Sequence, residues 1–418
     1  MQLPLGNILF SALKIIVNQV LPIVILPYLL KKLGDFNFGL LMIAQTIALF
    51  GVTTVEYGFN LTGVRSVALV RQDPNRLLEL YRDVNLVKLL FCLLCAVVLW
   101  FAQWLFSLDT DLCLAITAGF LMVLGSALQP NWFFMGMEWF RQISLVQIFS
   151  RATCLVLIFF LVQGEGDFLS ALALFFAPTL LSGVLLLAAA QRHFSRVAVA
   201  PYRVDRPRLS RLVRDGVDVY LSQMAASLFI STNTLVLGVL SGPVDSGRYA
   251  LAEKLMRGVA VLSTPVTEAL FPRVVVGLQA DLHTGLVFLR RVVLAGGLAF
   301  VVVAILSYVF FDFATERIGL SGGGQIKALF AVMAIVPGLI FLNNICGTQI
   351  VLGLGHARLF RNVVMVSGLS LVGCSWLFSW LWGAPGAAVA LLTGEVVICV
   401  GMAWASVRVV GWNWFVRR

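Results

Sequence analysis

The stretch Arg248–Arg273, RYALAEKLMRGVAVLSTPVTEALFPR, is long enough to cross a bilayer, for which about 20 residues suffice. It nevertheless carries Glu253, Lys254, Arg257 and Glu268 within an otherwise apolar run. A charge at bilayer depth costs roughly 2.5–3.5 kcal/mol on insertion scales, so such residues usually face a cavity or a partner. Glu253, Arg257 and Glu268 share one helical face. The stretch predicts either a polar chamber inside a membrane bundle or interhelical ion pairs that hold the bundle together.

The composition of the whole chain agrees with membrane insertion. The sequence is 60% hydrophobic and 12% charged, with a mean hydropathy of +0.96, whereas soluble proteins have about 25% charged residues. Apolar Leu3–Leu30 is too long for a signal peptide and predicts a first span. The net charge of +10 lies mostly in short loops between apolar segments, which is typical of a topology signal and not of a nucleic-acid interface.

The apolar segments predict an all-α polytopic membrane protein with twelve transmembrane helices in two six-helix lobes. Residues 1–190 form the predicted N-terminal lobe, 191–215 an Arg-rich cytoplasmic linker, and 216–418 the C-terminal lobe. Two similar nonapeptides, RSVALVRQD at 65–73 and RVVVGLQAD at 273–281, suggest that the halves are parallel repeats with a site between them. The predicted spans are 7–30, 38–62, 84–106, 112–134, 143–163, 168–190, 216–240, 249–272, 287–311, 326–352, 360–382 and 385–407.

The distribution of Lys and Arg predicts that both termini are cytoplasmic. With the N-terminus inside, most cations, among them Arg65, Lys88 and the arginines of 191–215, fall in or beside cytoplasmic loops. Lys31 and Lys32 are exceptions on the opposite side. Spans 3, 6 and 9 are almost free of ionisable residues over their central parts and are expected to face lipid.

Signatures of soluble catalysis are missing from the sequence. It has no G-x-x-x-x-G-K-[ST] motif, and its seven cysteines and three histidines are scattered. We therefore expect no enzyme activity, no bound cofactor, no structural metal and no nucleic-acid partner.

Within the first two predicted spans of each lobe, polar side chains recur at helical spacing and form a stripe along one face of the helix. Ser and Thr commonly bond between membrane helices, but buried cations require a stronger explanation. We interpret the stripes as the lining of a cationic, substrate-bearing cavity. The candidate cavity residues are Lys14, Asn18, Glu56, Asn60, Arg65, Arg151, Asn233, Glu253, Lys254, Arg257, Arg273 and Asn343.

Two segments, EYGFNLTGVRSVALVRQD at 56–73 and QPNWFFMGMEWFRQISLVQIFSR at 129–151, resemble the Wzx family of O-antigen flippases. That family belongs to the multidrug/oligosaccharidyl-lipid/polysaccharide (MOP) exporter superfamily. The resemblance implies a V-shaped, two-lobed bundle in the bacterial inner membrane. It further implies transfer of an undecaprenyl-diphosphate-linked oligosaccharide from the cytoplasmic to the periplasmic leaflet by alternating access.

A diphosphate cannot cross hydrocarbon unpaired, and a cationic chamber lowers that barrier. Lys14, Arg65, Lys254, Arg257 and Arg273, with Arg151 as a further candidate, are therefore expected to contact diphosphate or acidic sugars. The asparagines would bind sugar hydroxyls, and the polyprenyl tail would stay in lipid.

The resemblance also implies partners and leaves alternatives open. Membrane lipids are expected partners, and an O-antigen polymerase and a chain-length regulator are candidates. Coupling to H⁺ or Na⁺ is compatible with the superfamily, although the sequence identifies no coupling site. A cation-coupled multidrug exporter would favour acidic groups where the first span carries Lys14. A lipid II flippase is chemically similar but usually has fourteen spans, and a non-transporting scaffold needs no buried cations.

Overall fold

The computed structural model describes residues 5–195, 204–261, 267, 274, 282–318 and 323–411, and these residues form helices with no strand among them. The side chains of residues 5–24 lie outside the description. The α-helices are α1 Leu5–Glu56, α2 Phe59–Val70, α3 Pro74–Phe106, α4 Thr110–Leu128, α5 Asn131–Gly136, α6 Phe140–Leu161, α7 Phe168–Phe194, α8 Arg206–Leu240, α9 Pro243–Ala260, α10 Leu282–Val309, α11 Phe311–Ile318, α12 Gly323–Met333, α13 Val336–Asn343, α14 Ala357–Trp382 and α15 Ala384–Val410. A 3₁₀-helix at Glu165–Asp167 precedes α7, and a π-helix at Asn344–Leu352 follows α13.

Ten helical segments of the described chain are long and apolar enough to span a membrane. The predicted all-α polytopic membrane fold is confirmed, and the count of twelve spans is consistent with it. The first segment, Ile25–Val70, contains the predicted second span, while the predicted eighth span extends past the end of α9 into residues outside the description. No residue in the most apolar window of Gly285–Val309 is buried, as expected for a ninth span that faces lipid.

The chain divides by Cα proximity into two compact units. Unit 1 comprises Met1–Ile25 and Lys32–Leu228, and unit 2 comprises Leu26–Lys31 and Phe229–Arg418. The division falls inside α8, so this helix contributes residues to both units. The lobe limits at residues 190 and 216 stay a prediction. The second nonapeptide of the predicted repeat, 273–281, lies outside the described residues apart from Val274.

In unit 1, individual residues determine where helices are interrupted and where they begin. Gly34, with φ 75°, interrupts α1 at the predicted connection between the first two spans. A side chain there would be strained, and its Cβ would lie 2.7 Å from Oε1 of Glu165. Asp73 begins α3, because its carboxylate accepts the backbone N–H groups of Asn75 and Arg76 at 3.1 and 3.2 Å.

Each unit has its own helix packing and apolar core. In unit 1, α4 and α7 approach through Gly125 and Gly183, where an added Cβ would collide with the facing backbone. The unit 1 core contains a run of aromatic side chains at one end of α5, including Trp132, Phe133 and Phe134. In unit 2, Gly386 of α15 meets the backbone of Phe378 of α14 in the same way.

Candidate functional site

A polar cavity of about 220 Å³ lies within unit 1. Its wall comes from α1, α4, α6 and α7 and from the residue after α4, and it includes two charged side chains, Glu56 and Arg151. The remaining polar lining consists of amides and hydroxyls, namely Ser126, Gln129, Gln147, Thr179 and Ser182. The structure therefore brings two of the predicted site residues, Glu56 and Arg151, to one cavity.

A break in the backbone places Glu56 and Asn60 together. The α1 helix ends at Glu56, and Tyr57 and Gly58 adopt φ values of 42° and 77° before α2 begins. The amide of Asn60 donates to Oε2 of Glu56 at 3.0 Å across this break. Asn60 is thus a neighbour of the cavity carboxylate, which agrees with the predicted grouping of the two residues.

A buried lysine on α3 stabilises the cavity wall near Glu56 through a hydrogen bond. Lys88 has 2% of its surface exposed, and its ammonium donates to the backbone carbonyl of Gln129 at 2.7 Å. It also interacts electrostatically with Glu56. Lys88 was predicted among the cations in or beside cytoplasmic loops, and the structure places the residue in α3 inside the core of unit 1. The sequence contained a signal for this position, since Lys88 falls within the predicted span 84–106.

The amide wall of the cavity is also fixed by hydrogen bonds. Nε2 of Gln129 donates to the Ser182 hydroxyl at 3.0 Å, and that hydroxyl donates to the carbonyl of Thr179 at 3.0 Å. Gln147, one helical turn before Arg151 on α6, donates to Asn131 at 3.3 Å. Sequence reasoning missed these side chains, although the spacing of Gln147 and Arg151 on one face of α6 was visible.

Unit 2 contains a second polar network, centred on α9. The guanidinium of Arg257 contacts Oε1 of Glu253 through Nε at 2.8 Å and Nη2 at 2.7 Å. The Glu253 side chain is 7% exposed and that of Arg257 25% exposed. This pair joins residues i and i+4 of one helix, so it is not the interhelical pair that the sequence had allowed. Lys254, the next residue after Glu253, is partly buried.

Two predicted asparagines extend the network of unit 2 to neighbouring helices. Asn233 is buried, donates to the Tyr249 hydroxyl at 2.8 Å and accepts a hydrogen bond from Ser375. Asn343 donates to Oε2 of the buried Glu395 at 3.0 Å. Glu395 also interacts electrostatically with Arg257, so it links α15 to the α9 charges. Glu395 was not among the candidate cavity residues, although it is the single charged residue of the predicted span 385–407.

The other predicted site residues are placed differently or lie outside the description. Arg65 is exposed on α2 and does not line the unit 1 cavity. The side chains of Lys14 and Asn18, and Arg273 as a whole, lie outside the described residues. Within the described part of the chain, no three His, Cys, Asp or Glu residues are grouped so that they could hold a metal ion.

The long apolar helices define a multi-pass membrane protein whose two units each have a polar interior. The family model described as "Polysaccharide biosynthesis protein" matches residues 5–276, and the chain belongs to this family. This confirms the resemblance to Wzx-type proteins, and family and fold together identify a transporter and not an enzyme.

Two curated relatives carry the name "Putative O-antigen transporter". The relative from Escherichia coli (strain K12) is 26% identical over 401 residues, covering 94% of each chain. The relative from Shigella dysenteriae is 21% identical over 402 residues, covering 95% of this chain and 98% of its own.

Solved structures with the same fold come from the MOP superfamily. A lipid II flippase, MurJ, in an inward closed conformation matches with a TM-score of 0.64, covering 97% of this chain and 90% of its own. An inward-facing multidrug resistance MATE family transporter matches with a TM-score of 0.62, covering 96% and 98%. Both are 14% identical to this chain, so they establish the predicted MOP-type fold and no substrate.

Proposed function

We propose that this protein is a flippase for a lipid-linked oligosaccharide. It moves an undecaprenyl-diphosphate-linked O-antigen repeat unit from the cytoplasmic to the periplasmic leaflet of the bacterial inner membrane. Both relatives are named as O-antigen transporters and align over nearly the whole chain, which supports this substrate class. Both termini are cytoplasmic in the proposed topology, as the distribution of Lys and Arg indicates.

The observation that carries the proposal is the composition of the unit 1 cavity. Sugars present hydroxyl groups, which amides, hydroxyls and carboxylates bind, and the cavity supplies all three from Gln129, Gln147, Ser182 and Glu56. Arg151 supplies a fixed cation with a planar fork that fits phosphate oxygens. A cavity with this lining fits a phosphorylated glycan better than an apolar drug.

The proposed transport cycle is alternating access driven by H⁺ or Na⁺. The charge of the diphosphate is paired inside the protein, which avoids the cost of exposing it to hydrocarbon. Arg257 in unit 2 is a further candidate contact for the diphosphate. An O-antigen polymerase and a chain-length regulator are proposed to receive the product.

The test is complementation of a deletion strain, with surface O-chains resolved by gel electrophoresis of lipopolysaccharide. Wild type is expected to restore long O-chains. Arg151→Ala should lower export at least about tenfold at equal membrane level, because a charge-assisted hydrogen bond to phosphate is lost. Arg151→Lys should retain part of the activity. Arg141→Ala removes an exposed arginine near the start of the same helix and should behave as wild type.

Persistence of O-chains in the deletion strain, in the absence of a second flippase, would overturn the proposed function. If the deletion strain kept its O-chains but lost drug tolerance, the function would be that of a multidrug exporter and not of a flippase.

A further inference from the structure

A second cavity of unit 1 adjoins the polar one and differs from it in chemistry. It measures about 110 Å³, and apolar side chains of α6 and α7 form most of its wall, including Leu155, Ile158, Leu174 and Phe175. The polar cavity is about twice as large, 220 Å³ against 110 Å³, and its polar lining consists of carboxylate, amide, hydroxyl and guanidinium groups. One compact unit therefore contains a polar and an apolar compartment side by side.

The two compartments share part of their wall. Met122, Arg151, Pro178 and Thr179 line both cavities, and Arg151 is the one charged residue among these four. A single guanidinium therefore lies where the polar compartment meets the apolar one. An amphiphile with an anionic group between a polar head and a hydrocarbon chain fits this arrangement. Its head matches the polar cavity, its anion the guanidinium and its hydrocarbon the apolar cavity.

We propose that the apolar cavity binds the phosphate-proximal isoprenoid units of the lipid carrier. Arg151 holds the phosphate at the boundary, and the sugars occupy the polar cavity. This inference rests on the proposed flippase function and changes the expectation that the whole polyprenyl tail stays in lipid.

The size of the apolar cavity limits how much of the chain it receives. Small-ligand pockets measure roughly 300–1,000 Å³, and a cavity of about 110 Å³ lies below this range, so it accommodates only the isoprenoid units nearest the diphosphate. Exposed apolar residues of α6, including Val156 and Phe160, lie next to the cavity residues in sequence and provide a lipid-facing surface for the remainder.

The experiment compares two soluble probes, geranyl diphosphate and inorganic diphosphate, on the full-length protein in lipid nanodiscs. Wild type should bind geranyl diphosphate about tenfold more tightly, because its hydrocarbon enters the apolar cavity. Leu155→Trp fills that cavity and should bring the ratio of the two affinities close to one while leaving the affinity for inorganic diphosphate unchanged. Arg151→Gln should weaken both probes.

Val156→Trp is the matched control, because the neighbouring side chain is exposed on the same helix. It should keep the wild-type ratio. Leu174→Phe narrows the cavity from α7 and serves as a second variant if Leu155→Trp does not fold.

An unchanged ratio in a folded cavity variant would overturn this inference alone, provided that O-chain export still depends on the protein and on Arg151. Loss of that dependence would refute the flippase function itself. An equal affinity of wild type for both probes would also reject the isoprenoid site.

Discussion

The polar interiors of the two units use the same residue types in different arrangements. In unit 1, Glu56 and Arg151 line a cavity and come from different helices, α1 and α6. In unit 2, Glu253 and Arg257 contact each other within one turn of α9, at 2.7 and 2.8 Å. Glu56 and Arg151 thus line space that a ligand can fill, whereas Glu253 and Arg257 are paired with each other.

The difference shows that a buried charge in a membrane helix does not by itself indicate a substrate contact. A carboxylate one turn away satisfies Arg257 locally and lowers the cost of burying both groups. Lys88 of unit 1 is a third case, since it supports a cavity wall through a backbone carbonyl. Burial, local partner and access to a cavity must be known together before a role is assigned.

The largest expected effect concerns Lys88. Lys88→Met should lower the free energy of unfolding by about 3–5 kcal/mol, because it leaves Glu56 without its neighbouring cation and the Gln129 carbonyl without its donor. Chemical denaturation of the purified protein in detergent, followed by Trp fluorescence, measures this change. Lys31→Met replaces an exposed lysine and should stay within about 0.5 kcal/mol of wild type.

Adding Glu56→Gln to Lys88→Met should recover part of the lost stability, since the uncompensated carboxylate is then neutral. Equal effects of the Lys88 and Lys31 substitutions would contradict the supporting role of Lys88.

The helix contacts of the two units provide the next comparison. Gly125→Ala in unit 1 and Gly386→Ala in unit 2 should each cost about 1–3 kcal/mol, because the added methyl group collides with the backbone of Leu180 or Phe378. The same denaturation assay applies. Gly373→Ala is the control, since no heavy atom of the described chain lies within 4 Å of its added Cβ. A cost at Gly373 as large as at the other two positions would show that the close contacts are not the cause.

A double-mutant cycle on Glu253 and Arg257 tests whether the unit 2 pair is structural. Glu253→Ala and Arg257→Ala should show a coupling energy of about 1–2 kcal/mol in stability, because the pair is mostly buried. Export should be retained better by Arg257→Lys than by Arg257→Glu if this side chain also contacts the diphosphate. Indistinguishable export by the Lys and Glu variants at equal level would leave Arg257 with a structural role only.

The smallest effect is expected for an exposed ion pair of unit 1. Arg71 and Glu138 lie 3.1 Å apart with side chains 46% and 62% exposed. Their coupling energy should be below about 1 kcal/mol and should fall with added salt. The same cycle at low and high ionic strength measures it. A coupling larger than that of Glu253 and Arg257 would show that burial does not decide the strength of these pairs.

Much of the fold could be predicted from the sequence, because membrane helices require long apolar segments whatever their tertiary packing. Of the candidate site, the grouping of Glu56 with Asn60 was predictable from helical spacing, although a break at Tyr57 and Gly58 lies between them. That Arg151 and Glu56 line the same cavity was not predictable, because the sequence of an apolar helix does not show which of its faces packs against another helix. The same limit explains why Gln129, Gln147 and Ser182 were missed.

The sequence by itself determined that this chain is a helical membrane protein with charges inside its apolar segments, because transfer to lipid selects apolar helices and makes each charge costly. Only the tertiary structure decided what those charges do. It paired Arg257 with Glu253, placed Lys88 against the Gln129 carbonyl, and set Arg151 between a polar and an apolar cavity. These outcomes depend on which helices pack together and at what distance, and electrostatic energies change steeply with both distance and burial.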